Sequence, residues 1–239
     1  MMAKLPGRLF DNGDSVEKNV LLCTSHDRSM SLMVQLVATR VVCANTLSIA
    51  LGRCTNQIKI AHRGDVRGKE AEARRVLGIA DKYFEKLQEA IRYMVDKTMS
   101  HEQMEALATV LVPSKTDDGK PSTRAENMRA ELNRLFGRGT GNGGSNRWDA
   151  MNAVTEYADH FRSVRERIVG SGARFESSLM GSGAHLKQKA FELLTNEDVM
   201  ANLMKKDFAM PKFEESFIML GKSDSTSRKN ANTASACDR

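Results

Sequence analysis

The chain has 239 residues, 41% hydrophobic and 28% charged, which supplies enough apolar material for a core and an ordinary charge load for a soluble protein. A formal net charge of +6 and a pI near 9.2 favour polyanionic partners, nucleic acid or an acidic membrane surface. No run of about 18 apolar residues is present, which excludes a membrane-spanning helix, and residues 1–10 carry no signal-peptide core, so a cytoplasmic location is expected.

Aromatics make up only 5% of the chain against 14 methionines, so Met and Leu must fill much of the core. The four cysteines, Cys23, Cys43, Cys54 and Cys237, form no C-x-x-C pair, which argues against a zinc ribbon or a redox motif. They are expected to be free thiols, three of them in or beside apolar segments.

In chain order, residues 20–24 form a short apolar run that predicts a buried strand. Residues 31–39, with Met33, Val34, Leu36 and Val37, predict a second, and residues 25–29 the turn between them. Residues 40–51 read as a buried helix, apolar on two sides (Ala44, Leu47 and Leu51 on one, Val42 and Ile49 on the other) and stopped by Gly52. Residues 57–62 alternate around Ile58 and Ile60 and suggest a third strand. From residue 69 to 97 the seam Ala73, Leu77, Ala80, Phe84, Leu87, Ile91, Met94 is spaced 4, 3, 4, 3, 4, 3. A long helix packed on its own domain is expected, with a homo-oligomeric coiled coil as the alternative. Ser100 and Gln103 form a capping-box pattern for a helix ending before Pro113. Thr123 with Glu126 is read as the cap of the next. Residues 137–146 read as a flexible glycine-rich linker, and residues 148–168 as a strong helix. Residues 184–194 and 197–205 are shorter helices. The expected architecture is α+β: a small N-terminal sheet with a buried helix, helical from about residue 67, in one domain over 1–222. Residues 223–239 lack large apolar side chains and are expected to form a disordered tail.

Ser25, His26 and Asp27 are adjacent and so do not constitute a catalytic triad, which needs groups converging in space; a turn stabilised by Ser and Asp side chains is the simpler reading. Asn45 falls in the helix expected to be buried and needs partners there. His62 is a lone imidazole with no ready ligand set, so no metal is expected. Gly139, Gly141 and Gly144 spell G-x-G-x-x-G, but after a helix rather than a strand, which is the wrong setting for a dinucleotide fingerprint. The segment still leads into a helix N-terminus at Trp148, where free N–H groups can bind phosphate, with Arg138 and Arg147 beside it. The 148–168 helix divides into a core side (Met151, Val154, Ala158, Phe161, Ile168) and a polar stripe (Trp148, Asn152, Thr155, Asp159, Arg162, Glu166). His160 falls with Asp149, Glu156 and Ser163 on what reads as a solvated face, so Asp159 is the better candidate. Arg162 and Arg165, with Arg167 and Arg174, form a basic cluster.

Ser25-His26-Asp27, then Thr39-Arg40-Val41-Val42-Cys43 with Asn45-Thr46-Leu47, then His62, resemble the signature of the phage/plasmid-like protein family, domain of unknown function 932. Trp148, Asn152-Ala153-Val154-Thr155-Glu156-Tyr157 and Asp159-His160 belong to the same pattern. Gly181-Ser182-Gly183-Ala184 with Leu186-Lys187 and Ala190 is similar to its closing motif. The resemblance spans most of residues 4–195 and is placed on the C-terminal two-thirds of the family. It departs from the family at Arg28, where glycine is usual. The resemblance also implies that relatives carry a further N-terminal region, so this chain is expected to begin partway through the family pattern. It implies a mobile-element setting, often alongside recombination and replication functions, and no particular reaction.

Nucleic-acid binding, with single-stranded DNA and annealing in recombination as the finer expectation, is the leading functional reading. The scarcity of aromatics for stacking bases weighs against it; Trp148, Tyr157, Phe161 and Phe175 are the local candidates. An enzyme acting on a phosphate-containing substrate is the alternative, with a polar centre drawn from Ser25, His26, Asp27, Arg40, Asn45, His62, Asn152 and Asp159. A non-catalytic interaction factor is the third. No cofactor is indicated.

Overall fold

The computed structural model describes residues 1–11, 14–23, 32–51, 57–60, 66–113, 122–163 and 173–205. Five strands, β1 (Met2–Asp11), β2 (Asp14–Cys23), β3 (Leu32–Arg40), β4 (Thr46–Leu47) and β5 (Gln57–Ile60), form one antiparallel sheet. Its order is β1-β2-β3, with β4 and β5 pairing different parts of β3: β4 at Ala38 and Thr39, β5 at residues 32–35. Among the described residues seven α-helices follow: α1 (Val66–Asp96), α2 (His101–Leu111), α3 (Thr123–Arg138), α4 (Arg147–Glu156), α5 (Ala173–Leu179), α6 (Ser182–Thr195) and α7 (Glu197–Asn202). A π-helical segment, Tyr157–Phe161, continues α4 directly. The class is α+β, as expected.

β3 is buried on both faces because its register divides two apolar sets. Val34, Leu36 and Ala38 join Val16 and Val20 of β2 in the main core, while Val37 packs with Leu21 and with Leu179 of α5. That explains why β2 and β3 read as apolar runs rather than clean alternations. The main core runs on through α1, where Ala80, Phe84, Leu87, Ile91 and Met94 are all buried within this chain. From Ala80 to Met94 the heptad seam therefore faces the chain's own core. Each such large side chain contributes about 1.5–3 kcal/mol relative to exposure.

Ser100 caps α2 with both halves of the capping box: its side chain accepts from Gln103 N, and Gln103 reaches back to the cap N–H. The cap of α3 is one residue earlier than read, at Ser122, whose side chain accepts from Ala125 N.

Residues 40–51 are not a helix. Val41, Val42 and Cys43 turn, Ala44 sits at φ 54°, and β4 follows. Leu47, Ser48 and Ile49 are all buried, with Leu47 paired to Ala38 of β3 as extended chain. Exposure of Val41 and Val42 breaks the two-sided pattern. The helix that does lie buried on the sheet is α1, whose Tyr83 hydroxyl donates to Ile49 O at 3.0 Å. The turn at 25–29 and the tail at 223–239 fall outside the described residues. Among the described residues no helix is long and apolar enough to cross a membrane.

Candidate functional site

Two ion pairs, one partly and one fully buried, pin α4 and the π segment to the sheet. The first is built on Arg40, the last residue of β3. Its Nε donates to Asp14 Oδ2 at 2.5 Å, Nη1 to Thr140 O and Asn142 Oδ1 at 3.0 Å each, and Nη2 to Gly141 O at 2.8 Å. The same Asp14 oxygen accepts from Trp148 Nε1 at 3.0 Å. The glycine-rich segment therefore turns carbonyl oxygens, not N–H groups, toward a cation of the protein itself. That is the opposite polarity to a phosphate cradle. It is also held in place: Gly141 and Gly144 take positive φ, and a Cβ at Gly139 would lie 2.5 Å from Leu135 O and 2.6 Å from Glu156 Oε2. The flexible linker expected here is instead a fixed loop.

The start of α4 is likewise occupied from within. Asn146 Oδ1 accepts from Asp149 N at 2.8 Å, and Arg147 N donates to Lys97 O at 2.9 Å. Asp149, in the first turn, supplies the anion that such a terminus favours. The Arg147 side chain is buried, with Nη1 donating to Tyr93 Oη, Leu194 O and Glu197 Oε2 at 3.0–3.1 Å. Gly139, Gly141, Arg147 and Trp148 are thus committed to internal contacts, and Arg138 stands exposed at the end of α3.

The second pair is Asp159 with Lys187 of α6. Lys187 is fully buried and donates to Asp159 Oδ1 at 2.8 Å, Thr46 O at 2.8 Å and Ser178 Oγ at 2.9 Å. Asp159 Oδ2 accepts from Thr46 N at 2.7 Å and Thr46 Oγ1 at 3.0 Å, and Oδ1 from the Ser178 hydroxyl. Burial lowers the Lys187 pKa, and the Asp159 charge opposes that shift. All three ammonium protons have acceptors, as a buried charge requires. β4, the π segment, α5 and α6 meet at this one point.

Asn45 and Asn152 are both buried. Asn45 Oδ1 is 3.1 Å from His160 Nε2, which ties the β3–β4 turn to the π segment. Asn152 lies one helical turn beyond Trp148 on the same stripe. Arg40, Asn45 and Asp159 are therefore brought to one seam, Arg40 N donating to Asn45 O and Thr46 N to Asp159, while Asn152 is buried on α4. Ser25, His26, Asp27, His62 and Arg165 lie outside the described residues. Among the described residues no group of three or more His, Cys, Asp and Glu side chains could hold a metal ion.

The π segment explains where the helical wheel for 148–168 departs from the structure. A wider turn inserts a residue and rotates everything after it. Met151, Val154 and Ala158 are buried as expected, but Phe161 is 49% exposed. His160 is exposed as expected, whereas Asp149 and Glu156, read as solvated, are buried. Both lie ahead of the π segment and are buried independently of it, Asp149 accepting from Ser145 N and Glu156 lying against Gly139. The helix ends by Arg162, whose φ/ψ are extended, rather than at Ile168.

Beyond that rotation lies a surface of opposite character. Phe161 and Phe175 are the two exposed phenylalanines among the side chains described. The Arg134 guanidinium lies over the Phe161 ring at 5.5 Å. Arg124 Nη2 donates to Ser163 Oγ at 3.4 Å, and Arg174 Nη1 to His160 O at 2.5 Å. Arg162 has no hydrogen-bond partner at Nη1, a buried atom. Burial lowers its pKa, Tyr157 opposes that shift, and the Arg124 charge reinforces it. Among the described residues, Arg134 alone of these arginines is paired with a carboxylate, Glu131, at 2.5 Å.

Sequence reading missed Asp14, Ser178 and the role of Lys187. Lys187 did leave a trace: it is a lone charge on the apolar face made by Ala184, Ala190, Phe191 and Leu194. Asp14 and Ser178 left none, since each gains its role only from a partner far along the chain.

Fold and site together define an α+β protein whose helical layer is locked to an antiparallel sheet by ion pairs and which carries an arginine–phenylalanine face outside them. A family model, Domain of unknown function (DUF932), matches residues 1–179, and the chain belongs to that family. The match corrects the expected placement on the C-terminal two-thirds: it covers the N-terminal part, and the motif at residues 181–190 lies beyond it. No curated protein and no solved structure matches the chain.

Proposed function

We propose that the chain is a nucleic-acid-binding protein from a phage or plasmid setting, and that the polyanion lies on the face around Phe161. One observation carries this: two exposed phenylalanines stand among Arg124, Arg134, Arg162 and Arg174, three of them without a carboxylate partner among the described residues. Guanidinium groups suit phosphate, and exposed rings suit bases. The net charge of +6 adds long-range attraction of the same sign. The glycine-rich loop, whose carbonyls hold Arg40, has no part in it.

The test is a fluorescence-anisotropy titration of the full chain with labelled single- and double-stranded DNA across a range of salt. Three phosphate contacts by Arg124, Arg162 and Arg174 give a slope of log K against log salt of about −2 on single strands. Binding that ignores salt, or no binding at low salt, overturns the proposal.

A further inference from the structure

Two arginine–phenylalanine pairs meet at the C-terminal end of the π segment. Phe161 and Arg162 are consecutive at its end, and Arg174 and Phe175 are consecutive in the first turn of α5. The two are tied together by the Arg174 bond to His160 O. Arg124 reaches the same point from α3 through Ser163, the residue after Arg162. Three consecutive residues thus bring together a half-exposed ring, a guanidinium with a free buried nitrogen, and a hydroxyl held by a second arginine.

Rings exposed to this extent have nothing to gain from a duplex backbone, which offers phosphates but keeps base faces stacked inside. An unpaired strand presents the π-face of every base beside its phosphate. Arg162 and Arg124 repel each other, and no carboxylate is hydrogen-bonded to either among the described residues, whereas successive backbone phosphates would neutralise both.

We infer that this face takes unpaired nucleotides, with Phe161 and Phe175 as base platforms and Arg162, Arg124 and Arg174 as phosphate contacts. The inference rests on the nucleic-acid reading above and narrows its ligand to single strands. Stacking tolerates any base, so binding is indifferent to sequence. The strand is recognised by what it lacks, a pairing partner.

The test uses the full chain, labelled oligothymidine and a labelled hairpin duplex. The wild type binds oligothymidine more tightly. The double variant Phe161→Leu, Phe175→Leu, which keeps apolar bulk, loses about tenfold or more on oligothymidine and nothing on the duplex. Phe161→Tyr with Phe175→Tyr keeps the rings and retains wild-type affinity. Arg162→Gln and Arg174→Gln weaken both probes and flatten the salt slope by about 0.7 each on the single strand. All four side chains are partly or largely exposed, so melting temperatures stay at the wild-type value. A wild type that binds while the leucine variant is unchanged on oligothymidine overturns the single-strand inference and leaves nucleic-acid binding standing. A wild type that binds neither probe at low salt overturns both.

Discussion

Replacing Lys187 by Met removes the cation on which four elements converge. The side chain is completely buried, and its ammonium serves Asp159, Thr46 O and Ser178 within 2.9 Å. Met fits the methylene stem, so the loss is electrostatic rather than a cavity. Asp159 keeps Thr46 N, Thr46 Oγ1 and the Ser178 hydroxyl, but its charge is left buried without a counterion. Removing one partner of a buried pair costs about 3–5 kcal/mol. The double variant Lys187→Met, Asp159→Asn has no charge left to desolvate and keeps most of the hydrogen bonds, so it recovers at least about 1 kcal/mol of that loss. Urea denaturation followed by far-ultraviolet circular dichroism reads both quantities, provided the slope with denaturant is unchanged. A single variant within about 1 kcal/mol of wild type, or a double variant no better than the sum of its singles, refutes the pinning role assigned to this pair.

Gly139→Ala forces a Cβ to 2.5 Å from the Leu135 carbonyl and is expected to lower stability by about 1–3 kcal/mol in thermal melts. Gly143→Ala meets only ordinary contacts at 3.6 Å and serves as the near-neutral control. Ser100→Ala removes the capping box of α2 and costs about 1 kcal/mol, read as a lower denaturation midpoint. Glu197 is held at about 2 by the Tyr93 hydroxyl first, then by Arg147 and Lys97. A carboxyl with a depressed folded pKa stabilises above its unfolded value of 4.5, and that contribution disappears as pH falls through the interval down to about 2. Glu197→Gln should therefore flatten the acid limb of stability between those two values, and an unchanged limb counts against the Glu197–Arg147 contact.

What could be read in advance followed from local rules. The seam of α1, the cap at Ser100 and the apolar runs of β2, β3 and β5 each depend on residues within one element. β1 escaped because Pro6 and Gly7 interrupt its pattern where the register shifts between Lys4 and Arg8, with Gly7 at φ 78°. Residues 40–51 fit a helical wheel and an extended chain about equally well, and pairing of Ala38 and Thr39 with β4 decided for the latter. The π segment is invisible to periodicity because one inserted residue changes the phase without changing composition. Asp159 was singled out from its stripe, and the structure does bury it, but its partner Lys187 lies 28 positions away. Arg40 and Asp14 are 26 apart, and no spacing rule connects them. Pairs of this kind are set by topology, so a single sequence shows the charges and not their pairing.

The most direct test of the central claim locates the contact itself. The full chain is photo-crosslinked to a single-stranded oligonucleotide carrying iodouridine, digested, and its adducts mapped by mass spectrometry. Adducts on the peptides containing Phe161 or Phe175 are the predicted result. Adducts confined to the loop at residues 139–147, where Arg40, Asn146 and Asp149 already occupy the polar groups, would contradict it.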